Sequence, residues 1–425
     1  MAKYIVYFIV CVFKSKRIKG ANMSTHNSKK IGVSTATITG MNAMIGAGIF
    51  AAPAVMASHV GPAGILAYVF VVISVWFIAQ SLARVAKLFP QEGSFYTYTK
   101  QWGGHTIGMI ANGSYIIGVL TAMGLLTQFA GKFLQYFFPT MTASSLGLIA
   151  LGIILIINIL GVSMSQLGQR ILIVCTVFPM LATIIMCLGK ADFSLLTPFA
   201  PFGFTNVLKA TSTVIFGFFG FESAASLFSV VKNPEKNVPK ALTYSITLVG
   251  ILYIIFIGSI ILSTPLDIFA GTEPLLTNIL KVTFPNHPWI ISIVTLSITS
   301  AILGTIHSMV WGISNLMLSF FKKIQNSTVQ NLITKNFINK KVTVILAGIF
   351  MFISFTTIHN LNFFFNLTAI FIVFAYVTSM ITLLFIKEEW NSKQNIITIL
   401  GIVTSMIMLI FATQGIAQEI TKFIQ

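Results

Sequence analysis

The sequence predicts an all-α polytopic membrane protein with about eleven transmembrane helices. Only 8% of its 425 residues are charged, whereas soluble globular proteins carry about 25%. Hydrophobic residues make up 56% of the chain, and the mean hydropathy is +0.91. A soluble chain of this length lacks the polar surface to cover so many apolar side chains. Apolar runs of bilayer-spanning length also follow one another along the whole sequence.

Each of these runs has about 20 mostly apolar residues, which is enough to cross a bilayer as a helix. Lipid offers the backbone no hydrogen bonds, so runs of this length must be helical, and the alternating pattern of a membrane β-barrel is absent from the sequence. We number the predicted runs span 1 to span 11. In order they cover residues 32–56, 62–83, 104–137, 144–162, 170–189, 205–230, 240–263, 288–320, 342–357, 361–386 and 395–414.

The positions of the basic residues predict the orientation. With the N-terminus in the cytoplasm, 21 of the 26 Lys and Arg residues fall in inner segments, which is the distribution that the positive-inside rule describes. Topology therefore explains the net charge of +17, and no nucleic-acid partner is needed. The expected location is the cell membrane.

The sequence favours neither an enzyme nor a cofactor or metal site. Cys11, Cys175 and Cys187 are an odd set, and two of them lie inside apolar runs. Zinc-binding and phosphate-loop motifs are absent from the sequence. Asp192 and Asp267 lie in outer segments, so the two membrane-depth aspartates of an intramembrane protease are missing. A polytopic membrane enzyme is therefore the weaker alternative.

Two spans carry clustered glycines near their middle. Span 1 contains Gly40, Gly46 and Gly48, and span 6 contains Gly217 and Gly220. Glycine inside a helix costs roughly 1 kcal/mol relative to alanine and allows the backbone to unwind. Paired interruptions at matching positions are typical of secondary transporters built from inverted repeats. Close packing of helices is the alternative explanation for such glycines.

The matching interruptions predict two repeats of five helices each. The first repeat covers residues 32–189 and the second covers 205–386. A cytoplasmic segment, 1–31, precedes them, and an extra helix with a tail, 395–425, follows. Within the first segment, residues 1–22 are too short in apolar length to span, and we expect an interfacial anchor at most.

The ends of a broken helix can bind charged groups of a substrate. The N-terminus of a half-helix exposes N–H groups that suit a carboxylate, whereas a half-helix C-terminus exposes carbonyls that suit an ammonium group or a cation. Two such breaks side by side would hold a zwitterion.

Three motifs carry a resemblance to a known family, and the third extends from span 6 into the loop that follows it. They read GAGIFAAP at 46–53, FPQEGSFY at 89–96, and GFFGFES at 217–223 with KNPEKNVPKA at 232–241. With them the sequence resembles the amino acid–polyamine–organocation transporters, a group of amino-acid permeases and exchangers, over about 32–390. The resemblance implies a LeuT-like five-plus-five inverted-repeat transporter fold and an amino acid, or a related amine, as substrate.

The resemblance also implies a substrate site. In that family the backbone of the first glycine motif binds the substrate carboxylate, and carbonyls of the broken helices receive the amino group. An aromatic gate and a second aromatic side chain lie near the pathway. The residues of this chain at those positions are Met44, Gly46, Ala47, Gly48, Ile49, Tyr115, Phe216 and Phe219. Ala47 stands where the family motif has serine, so only a backbone contact is expected there.

Two features depart from the family pattern. The arginine and the acidic turn that often follow span 8 in the family are missing here. The family usually has twelve helices and this sequence has eleven predicted spans, so we expect an intact ten-helix core and a weakened homodimer contact.

Glu222 and His307 are the candidate gating or coupling residues. Glu222 is the acidic residue predicted to lie within a span, and an ionisable group at membrane depth is a functional candidate that could bind and release a proton. The alternative is a protonated side chain bonded to a neighbouring helix. His307 lies deep in span 8, where a packed histidine competes with a coupling role.

The sequence restricts the coupling ion and the substrate class less than it restricts the fold. Exchange or proton coupling is favoured over sodium coupling, which would use hydroxyls such as those of Thr305 and Ser308 facing span 1 carbonyls. No Lys or Arg lies at mid-span, and aromatic residues surround the breaks, so neutral or apolar substrates are favoured. A cationic substrate that stacks on these rings or meets Glu222 is the alternative. A transporter-like sensor that binds without transport is the second class of function left open.

Overall fold

The computed structural model describes residues 30–50, 60–271, 276–357, 361–386 and 392–424. Regular structure in these ranges is helical apart from one isolated backbone pairing between Ile31 and Val231. The proposed anchor at 1–22 and the end of span 1 beyond Phe50 lie outside the described residues.

All eleven predicted spans contain helices. Span 1 is Val33–Met44 followed by helical residues 47–50, and span 6 is Phe204–Phe216 followed by Ser223–Ser226. The other spans are, in order, Gly64–Leu88, Ser94–Gln135, Ala143–Ile159, Val162–Leu188, Pro234–Ser263, Trp289–Lys323, Lys340–Thr357, Leu361–Phe385 and Ser392–Ile424.

The lengths of these helices agree with a polytopic membrane protein. Eight of the described helices are long and apolar enough to cross a bilayer, and span 4 is a shorter apolar helix. Spans 1 and 6 are each divided into two pieces. The prediction of an all-α fold with about eleven spans, of which two are broken, is confirmed.

Both breaks fall at the predicted glycines. In span 1 the helix ends at Met44, Ile45 has a ψ of 85°, and the helix resumes at residue 47. In span 6 the helix ends at Phe216, and the chain turns through Gly220, whose φ is +116°. An L-side chain rarely adopts this φ, so glycine is needed at position 220.

Span 3 is longer than predicted. Its helix begins at Ser94, about ten residues before the apolar run, and is kinked at Gly104, where φ is +70°. The segment 94–103 carries polar and charged side chains such as Lys100 and Gln101. Hydropathy detects uniformly apolar helices, so it missed this amphipathic segment.

Short helices also occur between the spans. Phe193–Leu196, Leu266–Gly271 and Leu276–Thr283 lie in segments predicted to be outside, and Ser327–Thr334 lies in an inner segment. Their lengths are too small to cross a bilayer.

The broken helices pack in the centre of the bundle. The first half of span 1 contacts spans 5, 7 and 8, and the short second helix of span 6 contacts spans 1, 7 and 8. At one end, the backbone N–H of Ile31 donates to Val230 and that of Lys232 donates to Ile31, both at 2.8 Å. This pairing ties the start of span 1 to the end of span 6.

Candidate functional site

The two helix breaks meet at one tyrosine of span 7. The hydroxyl oxygen of Tyr253 lies 2.9 Å from the carbonyl oxygen of Met44 and 3.0 Å from that of Gly217. Both carbonyls lack helical partners because each helix ends there. One hydroxyl therefore satisfies the exposed ends of both breaks and holds them side by side.

A small cavity lies against this junction. It is lined by backbone from both breaks and by side chains of spans 3, 8 and 10. Its lining includes Met44, Gly46, Ala47, Gly48 and Phe219 among the predicted binding residues. The remaining lining residues are Ala43, Val119, Ala122, Met123, Leu126, Gly217, Thr305, Met309, Thr368 and Ile372. No charged side chain contributes to this lining.

The cavity combines an apolar wall with a few polar groups. The hydroxyl of Thr368 is buried and makes no hydrogen bond within the described residues. The second half of span 1 begins at residue 47, so N–H groups at its start lack helical acceptors. Such groups suit the carboxylate of a small substrate.

The hydroxyl of Thr305 in span 8 lies within a group of carbonyl oxygens. It is 2.9 Å from the carbonyl oxygen of Asn42, 3.2 Å from that of Ile45 and 3.1 Å from that of Ala301. A Cβ on Gly46 would come within 2.9 Å of the same hydroxyl. The break in span 1 is therefore held closely against span 8.

An amide network fixes the helix just before this break. The Asn42 side-chain amide donates to the backbone carbonyl of Gln169 at 2.8 Å and to its side-chain oxygen at 2.6 Å. Ser308 donates to the same Gln169 oxygen at 2.8 Å. Ser308, one of the two hydroxyls considered for sodium, thus bonds to span 5.

Glu222 is fully enclosed at the break of span 6. Tyr115 in span 3 donates to its Oε1 at 2.7 Å, and the backbone N–H of Gly220 donates to its Oε2 at 3.0 Å. Glu222 and Tyr115 are each only 1% exposed. The carboxyl therefore links span 3 to the turn that interrupts span 6.

His307 makes no hydrogen bond to Glu222 and instead bonds to spans 4 and 5. Its Nε2 lies 3.0 Å from the carbonyl oxygen of Ser165, so Nε2 carries the proton and donates. Its Nδ1 then accepts from the Asn158 side-chain amide at 3.0 Å. The ring is buried among spans 4, 5 and 8, outside the lining of the cavity.

The structure thus brings together five of the eight predicted binding residues at the cavity. Tyr115 bonds to Glu222 and is absent from the lining, while the backbone nitrogen of Ile49 lies 3.9 Å from where a Cβ on Gly217 would stand. The side chain of Phe216 lies outside the described part.

Sequence reasoning missed Tyr253 and Gln169. Tyr253 is a polar side chain at mid-span, and that feature was the signal available in the sequence, whereas Gln169 directly precedes the predicted span 5 and carried no such signal. Polar groups are common in membrane helices, so their partners were needed to single them out.

Comparison with known proteins identifies the family of the chain. A model of the family described as "Amino acid permease" matches residues 35–420. The chain belongs to the amino acid permease family. Membership, together with the helical spans, makes this permease-family chain a multi-pass membrane transporter.

Curated relatives carry transporter names. The chain is 26% identical over 317 residues to the "Branched-chain amino acid permease BcaP" of Bacillus subtilis (strain 168), covering 69% of this chain and 67% of the relative. It is 26% identical over 269 residues to the "Glutamate/serine transporter AimA" of the same organism, covering 57% and 49%. The two matches cover about half and about two thirds of the relatives' length.

Solved structures with the same fold include two LeuT-fold transporters. MhsT in complex with L-phenylalanine superposes with a TM-score of 0.65 at 16% identity, over 90% of this permease-family chain and 98% of MhsT. A sodium-coupled sialic acid symporter superposes with a TM-score of 0.64 at 14% identity, over 98% of both chains. The LeuT-like fold predicted from the motifs is confirmed.

Proposed function

We propose that this chain is a secondary active transporter that moves amino acids, or related amines, across the cell membrane by alternating access. The observation that carries the proposal is the hydroxyl of Tyr253 between the carbonyls of Met44 and Gly217. It supports a single site, because it brings together the C-terminal carbonyl ends of both broken helices, next to which the second half of span 1 begins at residue 47.

We further propose that the substrate is an amino acid with a neutral or apolar side chain. The cavity has no charged side chain in its lining, and Val119, Leu126, Phe219 and Ile372 supply apolar surface. The relative named a branched-chain amino acid permease supports this class. Another relative is named a glutamate/serine transporter, so acidic amino acids should be tested beside neutral ones.

The proposed repeats are residues 32–189 and 205–386. Helix contacts support this division, because they are repeated between the halves. In this division span 3 corresponds to span 8, span 4 to span 9 and span 5 to span 10. Span 3 packs on spans 4 and 10, and its counterpart span 8 packs on the corresponding spans 9 and 5. Span 7 packs on the first half of span 1 as span 2 packs on the first half of span 6.

We propose exchange, or proton coupling through Glu222, as the driving mechanism. Its carboxyl lies at the break of span 6 and bonds to two neighbouring groups, Tyr115 and the backbone of Gly220. Movement of the break would change both bonds. Sodium coupling is the alternative, supported by the carbonyl oxygens around Thr305 and by the sodium-coupled symporter among the similar structures.

The proposed orientation places the N-terminus and the lysine-rich ends of the spans in the cytoplasm. Lys232 directly follows Val231, which pairs with Ile31, and Lys322 and Lys323 form the end of span 8 on the same proposed side. A homodimer remains an expectation from the family resemblance.

Counterflow in proteoliposomes tests the proposal. Vesicles are loaded with mixed unlabelled amino acids and offered labelled neutral, acidic and basic ones from outside. We expect uptake of a neutral subset that is lost in Gly48→Leu, because Gly48 lines the cavity and leucine adds a bulky side chain at this position. Gly152→Leu is the matched control, since no atom lies within 4 Å of a Cβ at that glycine.

The same experiment separates the alternatives. Labelled substrate that binds to folded protein without uptake would contradict transport and favour the sensor. Chemical conversion of the substrate would favour a membrane enzyme. Uptake that survives in Gly48→Leu would place the site elsewhere.

A further inference from the structure

A second group of buried polar side chains lies beside Glu222. The side-chain amide of Asn112 in span 3 is 0% exposed, and neither its nitrogen nor its oxygen makes a hydrogen bond within the described residues. The hydroxyls of Ser223 and Ser226 and the indole nitrogen of Trp311 share this property. We call these four residues the inner polar cluster.

The inner polar cluster is continuous with the Glu222 site. Asn112 precedes Tyr115 by three residues on one helix, so the two lie on the same face, one turn apart. Ser223 directly follows Glu222. A Cβ on Gly312, next to Trp311, would lie 3.4 Å from the Cβ of Ser226. Spans 3, 6 and 8 thus converge here.

The cluster lies on the lysine-rich side of Glu222. Span 3 runs from Asn112 back towards Ser94 and the preceding Lys87, and span 6 runs on towards Lys232. Span 8 runs from Trp311 towards Lys322. Along each of the three spans, the cluster therefore stands between the level of Glu222 and the surface proposed to be cytoplasmic.

Buried polar groups such as these are stable only when they have a hydrogen-bond partner. Leaving a buried donor or acceptor unsatisfied costs about 1–3 kcal/mol, and most such groups in native proteins bond to protein or to water. The cluster offers donors and acceptors but no charge, and it draws on three helices. Water satisfies such a set, because one molecule can bond two to four polar groups.

We propose that the inner polar cluster binds a chain of water molecules that carries protons between the inner solution and Glu222. Each transfer breaks one O–H bond as it forms the next, so one proton reaches the carboxylate and no electron moves. The titratable groups facing Glu222 are the phenols of Tyr115 on span 3 and Tyr376 on span 10. This inference rests on the proposed proton coupling at Glu222.

Phe95 packs against both phenols that face Glu222. Its ring centroid lies 4.4 Å from that of Tyr115 and 6.0 Å from that of Tyr376, and the side chain is 1% exposed. It stands on the segment 94–103, which the kink at Gly104 separates from the rest of span 3. In the proposed route this ring is the barrier towards the inner surface, so a smaller side chain at position 95 should speed proton transfer.

Infrared spectroscopy of the purified protein tests the proposal without requiring transport. The C=O band of the protonated Glu222 carboxyl is assigned by its loss in Glu222→Gln, and the rate of its shift after transfer to D₂O is measured. We expect Asn112→Leu to slow the shift by about tenfold or more, and Phe95→Ala to accelerate it. Thr127→Val is the control, since this span 3 hydroxyl bonds to its own helix at Met123.

Each outcome decides the proposal. Equal rates in wild type, Asn112→Leu and the double variant Ser223→Ala with Ser226→Ala would overturn it, as would the absence of a Glu222 band at every pH. The double variant also serves if Asn112→Leu fails to fold. Counterflow measured on the same samples reports the proposed transport separately, so a failure there leaves the proton route to be judged by the infrared rate alone.

Discussion

The hydroxyl of Tyr115 donates a 2.7 Å hydrogen bond to the carboxyl of Glu222, and this bond joins the continuous helix of span 3 to the broken helix of span 6. The other carboxyl oxygen accepts from the backbone of Gly220, inside the break itself. A change in the charge of the Glu222 carboxyl therefore acts directly on the turn at Gly220. It also acts on the bond that attaches this turn to Tyr115 in span 3.

Removal of the Glu222 charge is expected to abolish the pH dependence of transport. Gln in place of Glu222 keeps the size and the acceptor oxygen but does not titrate. We expect Glu222→Gln to show a flat profile of uptake against pH while labelled substrate still binds. Glu92→Gln is the control, because this glutamate is half-exposed and pairs with Lys322 at 3.8 Å. An unchanged pH profile in Glu222→Gln would exclude the proposed coupling role.

Loss of the Tyr253 hydroxyl is expected to loosen both breaks. Tyr253→Phe removes the hydroxyl that bonds to the carbonyls of Met44 and Gly217, although Met44 keeps a 2.8 Å bond from the backbone N–H of Gly46. A buried carbonyl that loses its partner costs about 1–3 kcal/mol. We expect a lower unfolding midpoint in detergent and a roughly tenfold or larger loss of substrate affinity. Tyr244→Phe, on the same span but 50% exposed, is the control. Wild-type affinity in Tyr253→Phe would show that the hydroxyl does not organise the site.

Alanine at position 220 is expected to destabilise the fold. The φ of +116° is strained for any L-side chain, at a cost of about 1–3 kcal/mol. A Cβ there would also come within 2.7 Å of the backbone of Ala43 and of the side chain of Met309. We expect Gly220→Ala to lower the unfolding midpoint by several degrees, whereas Gly152→Ala leaves it unchanged or raises it. Equal midpoints for the two variants would contradict this packing argument.

Uptake is expected to be independent of sodium under the proposed exchange or proton coupling. Replacement of sodium by choline should leave counterflow unchanged in the wild type. Thr305→Val removes the hydroxyl facing the carbonyls of Asn42 and Ile45, and Thr299→Val is the control because its hydroxyl bonds within span 8 to Thr295. Sodium-dependent uptake that is lost in Thr305→Val and kept in Thr299→Val would instead establish sodium coupling.

Much of the fold was predictable from local properties of the chain. Hydropathy located all eleven spans, and the glycines located both breaks, because a helix that must hide every backbone group can unwind only where the sequence permits it. The amphipathic start of span 3 escaped detection, since segment 94–103 is not uniformly apolar.

The candidate site was predictable only in part. Backbone positions such as Met44 and Gly48 line the cavity because the break that exposes them is local to the sequence. The partners of side chains depend on which helices become neighbours. Tyr115 lies on Glu222 instead of in the cavity lining, and His307 lies against Asn158 and Ser165.

The sequence by itself determined that the chain lies in a lipid bilayer, how many spans it has and where each break falls. These properties follow from composition and from short-range backbone energetics. Only the tertiary structure decided that Tyr253 bridges the breaks, that Gln169 holds Asn42, and that Asn112 stands unpaired beside the Glu222 site. Such pairings form between residues more than a hundred positions apart or across several helices, and helix packing, which no local pattern encodes, brings them within hydrogen-bonding distance.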